Sequence, residues 1–406
     1  MTGRPIAIAG AGIAGLTAAL CFAAKGFSVA VFERAETLQE VGAGLQLSPN
    51  ATRILARLGV LESLGENAVR PRAILLKDAA RLSTLAGVTL GQKAERRWQA
   101  PYLVAHRADL QKALLRQVRA NPAIRLELGT EVRDAALRDG ETIATVEKAG
   151  QPGEVACDLL IGADGVWSQL RTRVGGRQSR FTGFAAFRAI LRDAAASDQA
   201  VGTVAPDAVT AFLAPDFHLV AYPLSGGADL NLVLVTRSAE IGRGWANAAD
   251  MAHLLAATRR AAPALSDIVR LAGAWTAWPI HEVQIGGPWT NAGLALIGDA
   301  AHALSPYAAQ GAAMAIEDAA LLAELTAGGG DMPGALATYE RLRKPRLARV
   351  ARRGAFNRFV WHAGGPAALA RDLALRLKSE ESLAADLDWL YSYDVEMIGA
   401  APATDT

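Results

Sequence analysis

Three glycines near the amino terminus have the spacing of a phosphate-binding turn. Gly10, Gly12 and Gly15 form G-x-G-x-x-G, with Ala14 in the same turn, between an apolar strand and a helix of small residues. A second strand follows and ends at Glu33. Such glycines allow a tight turn and close approach of a pyrophosphate to the helix start, and the acidic residue accepts hydrogen bonds from ribose hydroxyls. The pattern predicts a dinucleotide site that disfavours NADP; a glycine-rich turn that binds nothing is the alternative.

Two later segments repeat this arrangement. In residues 157–171 an apolar strand runs into Asp164 and a helix start follows. In residues 293–325 a strand ends at Asp299, and a turn of small residues leads to Gly311 at the start of a helix. An aspartate at the end of a strand can bind a sugar-like hydroxyl, and a helix start can present N–H groups to a carbonyl that gains negative charge. Helix capping is the alternative role for both aspartates.

A segment of different character, residues 178–285, separates these two motifs and predicts an antiparallel sheet. His218 and Tyr222 stand four apart on one of its strands, so they share a face. A neutral imidazole can take a proton from a phenol, and a tyrosine hydroxyl can pass it on or hold the oxygen. Arg188, on a facing strand, could pair with a carboxylate. The alternatives are polar residues on a solvated sheet edge and, for Arg188, an interior ion pair.

Composition limits the classes of function. The chain has 406 residues, 51% hydrophobic and 20% charged, which is ordinary globular composition but too long for one simple core. Its net charge is +2, and the densest basic segment, residues 341–353, has the spacing of a solvated helix face, so we expect no nucleic-acid partner. No residues have metal-ligand spacing, so we expect no metal.

The apolar amino-terminal segment and the two cysteines indicate the cellular compartment of the protein. Residues 6–24 could imitate a signal peptide or membrane span, but the glycine pattern and the strand after it fit a buried βαβ unit better. Cys21 and Cys157 each lie in an apolar run, which favours packing roles and a reducing compartment over a disulfide scaffold. We therefore expect a cytoplasmic protein without a membrane contact.

The three motifs in this order resemble those of the FAD-dependent aromatic hydroxylases, the single-component flavoprotein monooxygenases. That family includes salicylate hydroxylase, 3-hydroxybenzoate 6-hydroxylase and 6-hydroxynicotinate 3-monooxygenase. The resemblance runs from residue 5 to about residue 360. Besides the first motif, it is carried by GAGLQLSPNATRILARLGV (42–60), HRADLQKALL (106–115), the third motif (298–319) and LRKPR (342–346).

The resemblance implies that FAD is held by residues spread along the chain. The implied cofactor residues are Gly10, Gly12, Ala14, Gly15 and Glu33 for the ADP half, Arg34, Arg107 and Gln111 near the adenosine and pyrophosphate, Asp164 for FAD and pyridine-nucleotide contact, Asp299 for the ribitol chain, and Gly311 and Ala312 at the flavin pyrimidine edge. For the two arginines, a surface ion pair is the alternative.

The implied activity is hydroxylation of a small phenolic or hydroxylated carboxylic aromatic ring through a flavin C4a-hydroperoxide. NADH or NADPH would dock transiently, since no second G-x-G-x-x-G precedes a helix, and O2 would be the oxidant. The implied site residues are His218 and Tyr222 for proton transfer, Arg188 for a substrate carboxylate or the flavin, Gln46 in a loop that reaches the flavin, and Pro306 and Gln310 near the ring.

Three alternatives stay open at this point. An NAD-dependent dehydrogenase would use the first motif alone. A flavin-binding protein without turnover would keep the cofactor and lack the reaction. A flavin monooxygenase or epoxidase could act on a non-phenolic or polycyclic substrate.

The expected fold is α/β. A Rossmann-like FAD-binding domain would comprise residues 1–177 and 273–330, with a small substrate-side insertion around 70–105. An antiparallel substrate-binding sheet would occupy 178–272, and a helical region 331–406. The sequence also allows a homodimer.

Overall fold

A computed structural model describes most of the chain. The described residues are 3–38, 43–194, 197–242, 244, 247–328 and 330–399. In chain order their strands are β1 (Ile6–Ala9), β2 (Val29–Glu33), β3 (Gly44–Leu47), β4 (Ala73–Asp78), β5 (Thr84–Thr89), β6 (Leu103–His106), β7 (Ile124–Leu128), β8 (Thr130–Arg138), β9 (Glu141–Lys148), β10 (Gln151–Cys157), β11 (Leu159–Gly162), β12 (Arg180–Leu191), β13 (Ala208–Leu213), β14 (Phe217–Leu224), β15 (Asp229–Arg237), β16 (Asn247–Ala248), β17 (Thr276–Glu282), β18 (Thr290–Asn291) and β19 (Leu294–Leu296).

Helices connect the strands and form the carboxyl-terminal region. They are α1 (Ile13–Ala24), α2 (Pro49–Arg57), α3 (Val60–Leu64), α4 (Gln92–Trp98), α5 (Arg107–Ala120), α6 (Asp198–Thr203), α7 (Met251–Thr258), α8 (Pro263–Leu271), α9 (Asp299–His302), α10 (Gly311–Ala327), α11 (Met332–Trp361), α12 (Gly365–Leu377), α13 (Glu380–Tyr391) and α14 (Val395–Gly399).

A mainly parallel sheet carries the three glycine and aspartate turns. Its strand order is β18-β19-β11-β1-β2-β7, with β1 parallel to both β11 and β2. All residues of β1 and β11 are buried, as expected for strands covered on both faces. The predicted strand–turn–helix–strand unit is confirmed, and the ends of β1, β11 and β19 bring their turns to one edge of the sheet.

A larger sheet forms the wall opposite these turns. Its order is β16-β17-β12-β15-β14-β13-β4-β5. The antiparallel pairing of β12, β15, β14 and β13 confirms the sheet predicted for this segment. Strands β4 and β5, from the segment expected to be an insertion, extend its edge, with β4 parallel to β13.

Two local predictions are wrong. Gln46 was expected in a loop, but it lies on β3, which pairs antiparallel with β6. The segment after Asp164 was expected to begin a helix, and the structure has only a short 3-10 turn at Leu170–Thr172. Because Gly44–Leu47 finds a partner strand more than fifty residues away, its conformation follows from a long-range contact that local turn signals do not report.

The basic segment on α11 is a solvated face only in part: Arg341, Arg349 and Arg352 are exposed, as expected. Arg343 is fully buried and Arg346 is nearly so, each bonded to carboxylates of α10. Cys21 and Cys157 are buried, as expected, and burial raises the pKa of each thiol to about 12. Within the described part of the chain, no helix combines the length and apolar character needed to cross a bilayer.

Candidate active site

In the first glycine turn, two of the three glycines pack tightly against backbone atoms, and the third faces empty space. Gly10 has a φ of +104°, and a Cβ there would lie 2.6 Å from the Ala163 carbonyl oxygen. A Cβ on Gly15 would lie 1.9 Å from the Gly10 carbonyl oxygen. A Cβ on Gly12 would meet nothing within 4 Å. Gly10 and Gly15 therefore serve the fold of the turn, whereas Gly12 faces open space.

Three separate turns face the same cavity, which has a volume of about 310 Å³. Gly12, Gly165 and Gly311 all line it, and each would carry a Cβ into empty space. Arg107, at the start of α5, and Asp299 line the same cavity. The cavity therefore combines open glycine backbones and a guanidinium, which suit a pyrophosphate, with a carboxylate suited to a hydroxyl chain. These residues fit FAD.

Side chains around the first turn hold it in place. The Glu33 carboxylate accepts the N–H groups of Ala11 at 2.8 Å and Ala35 at 2.9 Å. The Gln111 amide donates to the Ala11 carbonyl oxygen at 3.1 Å. Arg34 is exposed, and no ion pair within the described residues involves it. Glu33 and Gln111 therefore clamp the turn, and the carboxylate keeps lone pairs for ribose hydroxyls.

Asp164 and Asp299 differ in their burial and in their hydrogen bonds. One Asp164 oxygen accepts the N–H of Gln169 at 3.0 Å, but no α-helix begins there for it to cap, and the other oxygen, Oδ1, is buried without a partner among the described residues. Burial raises the pKa of this carboxyl. Asp299 is exposed, and its charge favours the protonated form of the Arg107 guanidinium, whose pKa burial lowers. The unpartnered Asp164 oxygen marks a place for a ligand donor.

Arg171 joins the second and third turns and is not among the residues predicted from the sequence. Its guanidinium is almost fully buried and donates to the carbonyl oxygens of Ala300 at 2.7 Å, Asp299 at 3.0 Å and Val166 at 3.0 Å. The sequence offered one signal for this role, an arginine that follows an apolar strand. That signal does not reveal the partners, because two of the three carbonyl oxygens belong to another turn. Arg171 therefore positions both turns relative to each other.

The opposite wall is one face of β14. His218, Val220 and Tyr222 alternate along this strand and all line the cavity, which confirms that His218 and Tyr222 share a face. Val233 pairs with both Val220 and Arg188, so Arg188 belongs to the same face. Four residues of strand separate the Cα atoms of His218 and Tyr222 by about 13 Å. The two side chains therefore contact different parts of the cavity and do not exchange a proton directly.

Arg188 is a partly buried cation that has no carboxylate partner among the described residues. Its guanidinium carbon lies 4.2 Å from the centre of the Trp278 ring, and its Nε is buried without a partner. Burial lowers its pKa to about 10. Within the described part of the chain, no ion pair involves Arg188, so the structure does not contain the interior ion pair considered as an alternative. The geometry leaves this guanidinium to pair with a bound anion.

Tyr222 and His218 are both neutral groups in this cavity. Burial raises the pKa of the Tyr222 hydroxyl, and Arg188 and Asn231 offset this only in part. Burial lowers the pKa of His218 well below its ordinary value. Asn231, a residue not singled out from the sequence, also accepts the N–H of Gly44 at 2.7 Å and so attaches β3 to the sheet. Tyr222 is suited to hydrogen bonding and His218 to accepting a proton.

The remaining candidates line the cavity with their side chains already engaged. Gln46 accepts the Tyr102 hydroxyl at 2.6 Å. The Gln310 amide donates to Ser48 at 3.0 Å and accepts from Asn50 at 3.2 Å. The other sequence-predicted residues that the structure places on the cavity wall are Ala14, Pro306 and Ala312. Both glutamines are thus held in hydrogen bonds, and neither amide is wholly free to bind substrate.

Gly12→Ala is expected to weaken FAD binding at least tenfold without unfolding the protein. Its Cβ would occupy the open space that close approach of the pyrophosphate requires, and its φ of −74° suits alanine. Titration of the apoprotein with FAD, followed by flavin fluorescence, measures the dissociation constant. Gly202→Ala, another glycine with open space around its Cβ, serves as the control and should bind FAD normally. Equal affinities for the two variants would contradict the placement of the cofactor.

Comparison with known proteins covers nearly the whole chain. A family model described as FAD binding domain matches residues 4–354. The chain is 32% identical over 395 residues to a 3-hydroxybenzoate 6-hydroxylase of Polaromonas naphthalenivorans (strain CJ2), with 96% of each chain covered. It is 35% identical over 397 residues to a 3-amino-4-hydroxybenzoate 2-monooxygenase of Streptomyces cremeus, covering 95% of this chain and 94% of the relative.

The fold also matches a solved structure. A salicylate hydroxylase substrate complex superposes with a TM-score of 0.82 at 22% identity, covering 100% of both chains. At that identity the likeness concerns the fold. The expected α/β class, with a second sheet and a carboxyl-terminal helical region, is confirmed.

Proposed function

Because this chain belongs to the FAD binding domain family, we propose that it hydroxylates a small aromatic acid that carries a ring hydroxyl. It is an FAD-dependent aromatic-ring monooxygenase that uses NADH or NADPH and O2. An NAD-dependent dehydrogenase would use the first glycine motif alone, whereas the family match extends over the second and third motifs as well.

The cofactor site is the cavity edge built by the three turns. We propose that Gly12, Arg107 and Asp164 hold the phosphate and ribose end, with Asp299 and the start of α10 at Gly311 toward the ring end. Bound there, FAD would supply the redox chemistry that transfers electrons from the nicotinamide to O2 and so provides activated oxygen. The chain's own residues bind the substrate, move its proton and exclude water.

One observation carries the substrate class: the guanidinium of Arg188 has no carboxylate partner among the described residues and lies on the same face as the neutral imidazole of His218. A desolvated cation gains most from a carboxylate, which it can bind through two parallel hydrogen bonds. A neutral imidazole accepts a proton from a phenol. A ring with a carboxylate and a hydroxyl satisfies both groups at once.

Other residues of this face set the conditions for the reaction. Val220, Val233 and Val235 line the cavity between the polar groups and limit the entry of water, which would divert activated oxygen to hydrogen peroxide. Tyr222 would donate a hydrogen bond to a substrate oxygen, since its raised pKa keeps its proton in place. His218 would accept the phenolic proton, which makes the ring electron-rich at the moment it attacks oxygen.

Arg188→Met is expected to lower kcat/KM for hydroxylated benzoates by about 30-fold, since losing one partner of a buried charge pair costs about 2 kcal/mol or more. For the corresponding phenols without a carboxyl group, the variant should differ little from the wild type. Coupled product formation across such a panel makes the measurement. Arg192→Met, an exposed arginine that directly follows β12, is the control.

The same panel tests the proposed function itself. Wild-type enzyme that hydroxylates none of the hydroxylated benzoates or nicotinates would contradict it. If Arg188→Met binds FAD more weakly and loses kcat/KM equally for substrates with and without a carboxyl group, the guanidinium binds the flavin and not the substrate. The cytoplasmic location, the homodimer and the absence of a nucleic-acid partner stay predictions.

A further inference from the structure

His218 is in contact with a second histidine from a distant part of the chain. Its Nδ1 lies 3.1 Å from Nε2 of His362, which follows the end of α11. His218 lines the inner cavity described above. His362 lines a second, larger cavity of about 830 Å³. The two imidazoles therefore form a hydrogen-bonded connection between the inner and the outer cavity.

Aromatic rings enclose this pair. The ring centres of Tyr307 and Trp361 lie 5.2 Å and 5.0 Å from that of His218, and Phe184 stacks on His362 at 6.2 Å. Only 2% of His218 is exposed. Such surroundings offer little stabilisation to an imidazolium, although cation–π contacts offset part of the lost hydration.

Nearby charges act on the pair from several elements. Arg358 on α11, Arg237 at the end of β15 and Asp216 before β14 act on His362, and Glu282 on β17 lies toward Tyr307. Burial and the two arginines together lower the pKa of His362 to about 4. Both histidines are therefore neutral at pH 7, and each has one nitrogen that donates and one that accepts.

A neutral, buried base working alone faces a difficulty. Taking the phenolic proton would leave a cation on His218, and burial disfavours that charge. The difficulty is removed if the Nδ1 proton leaves as the Nε2 proton arrives. The contact with Nε2 of His362 has the distance needed for such a transfer.

We propose that His362 is a proton-relay residue that connects the substrate, through His218, to solvent in the outer cavity. This inference rests on the proposed function. The substrate O–H bond breaks and its proton binds Nε2 of His218, while the Nδ1 proton of His218 passes to Nε2 of His362. The Nδ1 proton of His362 passes to water. One proton has then left the substrate, neither imidazole carries a charge, and both tautomers are exchanged.

The reverse passage restores the pair. When the hydroxylated product takes a proton back before release, water donates to Nδ1 of His362 and each transfer runs in the opposite direction. Both tautomers return to their starting state, so the relay neither consumes nor supplies protons over one turnover.

The relay predicts a change in the rate of proton transfer and little change in its equilibrium. In His362→Phe, ionisation of a bound phenolic substrate after a rapid pH jump should slow at least tenfold, followed by the ultraviolet absorbance of the phenolate. The pH at which the bound substrate is half ionised should move little. Bound FAD should be retained, because His362 contacts His218, Phe184 and Tyr307, none of which is a proposed FAD residue.

Imidazole rescue separates a relay from a packing role. In His362→Ala, the space left by the ring adjoins the outer cavity, so added imidazole should restore most of the lost rate. His253→Phe, another histidine outside the pair, should ionise the substrate at the wild-type rate. A wild-type rate in His362→Phe, or failure of imidazole to rescue a folded, FAD-containing His362→Ala, would overturn the relay.

This outcome differs from failure of the proposed function. If wild-type enzyme neither ionises nor hydroxylates any phenolic acid, the proposed substrate class is wrong before His362 is tested. If wild-type enzyme hydroxylates the substrate and His362 variants behave like it, only the relay is wrong.

Discussion

His218→Ala is expected to lower the hydroxylation rate by about 10²–10⁴-fold, the usual contribution of a positioned general base, and to leave FAD bound. The imidazole stands on β14, while the proposed cofactor residues stand on the turns opposite. Its removal leaves the phenolic proton without an acceptor, so the ring stays a poor nucleophile. Stopped-flow measurement of product formation, with the flavin spectrum recorded on the same sample, separates the two effects.

Two controls distinguish the lost base from the lost volume. His218→Asn keeps a polar side chain of similar reach and should be about as slow as the alanine variant. A fluorinated hydroxybenzoate that is already ionised at the assay pH should lose much less rate in either variant, because it needs no base. An unchanged rate in His218→Ala with the unsubstituted substrate would show that the imidazole takes no part in proton transfer.

Arg343→Ala is expected to reduce the free energy of unfolding by about 3–5 kcal/mol, since removal of one partner leaves buried charges uncompensated. Its guanidinium is fully buried and bonds Glu317 at 2.5 Å and Asp318 at 2.7 Å. Asp318 also accepts the N–H of Gly298 at 2.8 Å, and the Glu317 carboxylate accepts from Asn50 at 2.6 Å. The loss should therefore also loosen the third turn and weaken FAD binding.

The pH dependence of this loss has a definite sign. Although burial raises it, contacts with His302 and Arg343 bring the pKa of Asp318 down to about 2. A carboxyl with a lowered folded-state pKa stabilises the fold above its ordinary pKa, and that stabilisation is lost as the pH falls toward 2. Without Arg343, the Asp318 carboxyl takes up a proton at a higher pH than in the wild type. The difference in unfolding free energy between the wild type and Arg343→Ala should therefore become smaller as the pH falls toward 4.

Denaturant unfolding of the wild type and Arg343→Ala at pH 7 and pH 4 measures this difference. Arg341→Ala, an exposed arginine on the same helix, is the matched control and should fall within about 0.5 kcal/mol of the wild type. If Arg343→Ala loses no more unfolding free energy than Arg341→Ala, the Glu317 and Asp318 carboxylates do not depend on Arg343 for their stabilisation.

Much of the proposed cofactor site followed from local patterns in the sequence. The spacing of Gly10, Gly12 and Gly15 between a strand and a helix determines the turn, because backbone sterics act over a few residues. The alternation along β14 determined that His218 and Tyr222 share a face, because side chains of a strand alternate with period two. Such features need no knowledge of the distant chain.

Only the tertiary structure decided which distant residues meet. His362 lies 144 residues from His218, and Arg171 reaches carbonyl groups on a turn more than 120 residues away. Arg343 lies in a basic segment whose spacing is typical of a solvated helix face. It is nevertheless buried, because α11 packs against the part of α10 that carries Glu317 and Asp318. Contacts of this kind depend on how whole elements pack, which neither periodicity nor local propensity encodes.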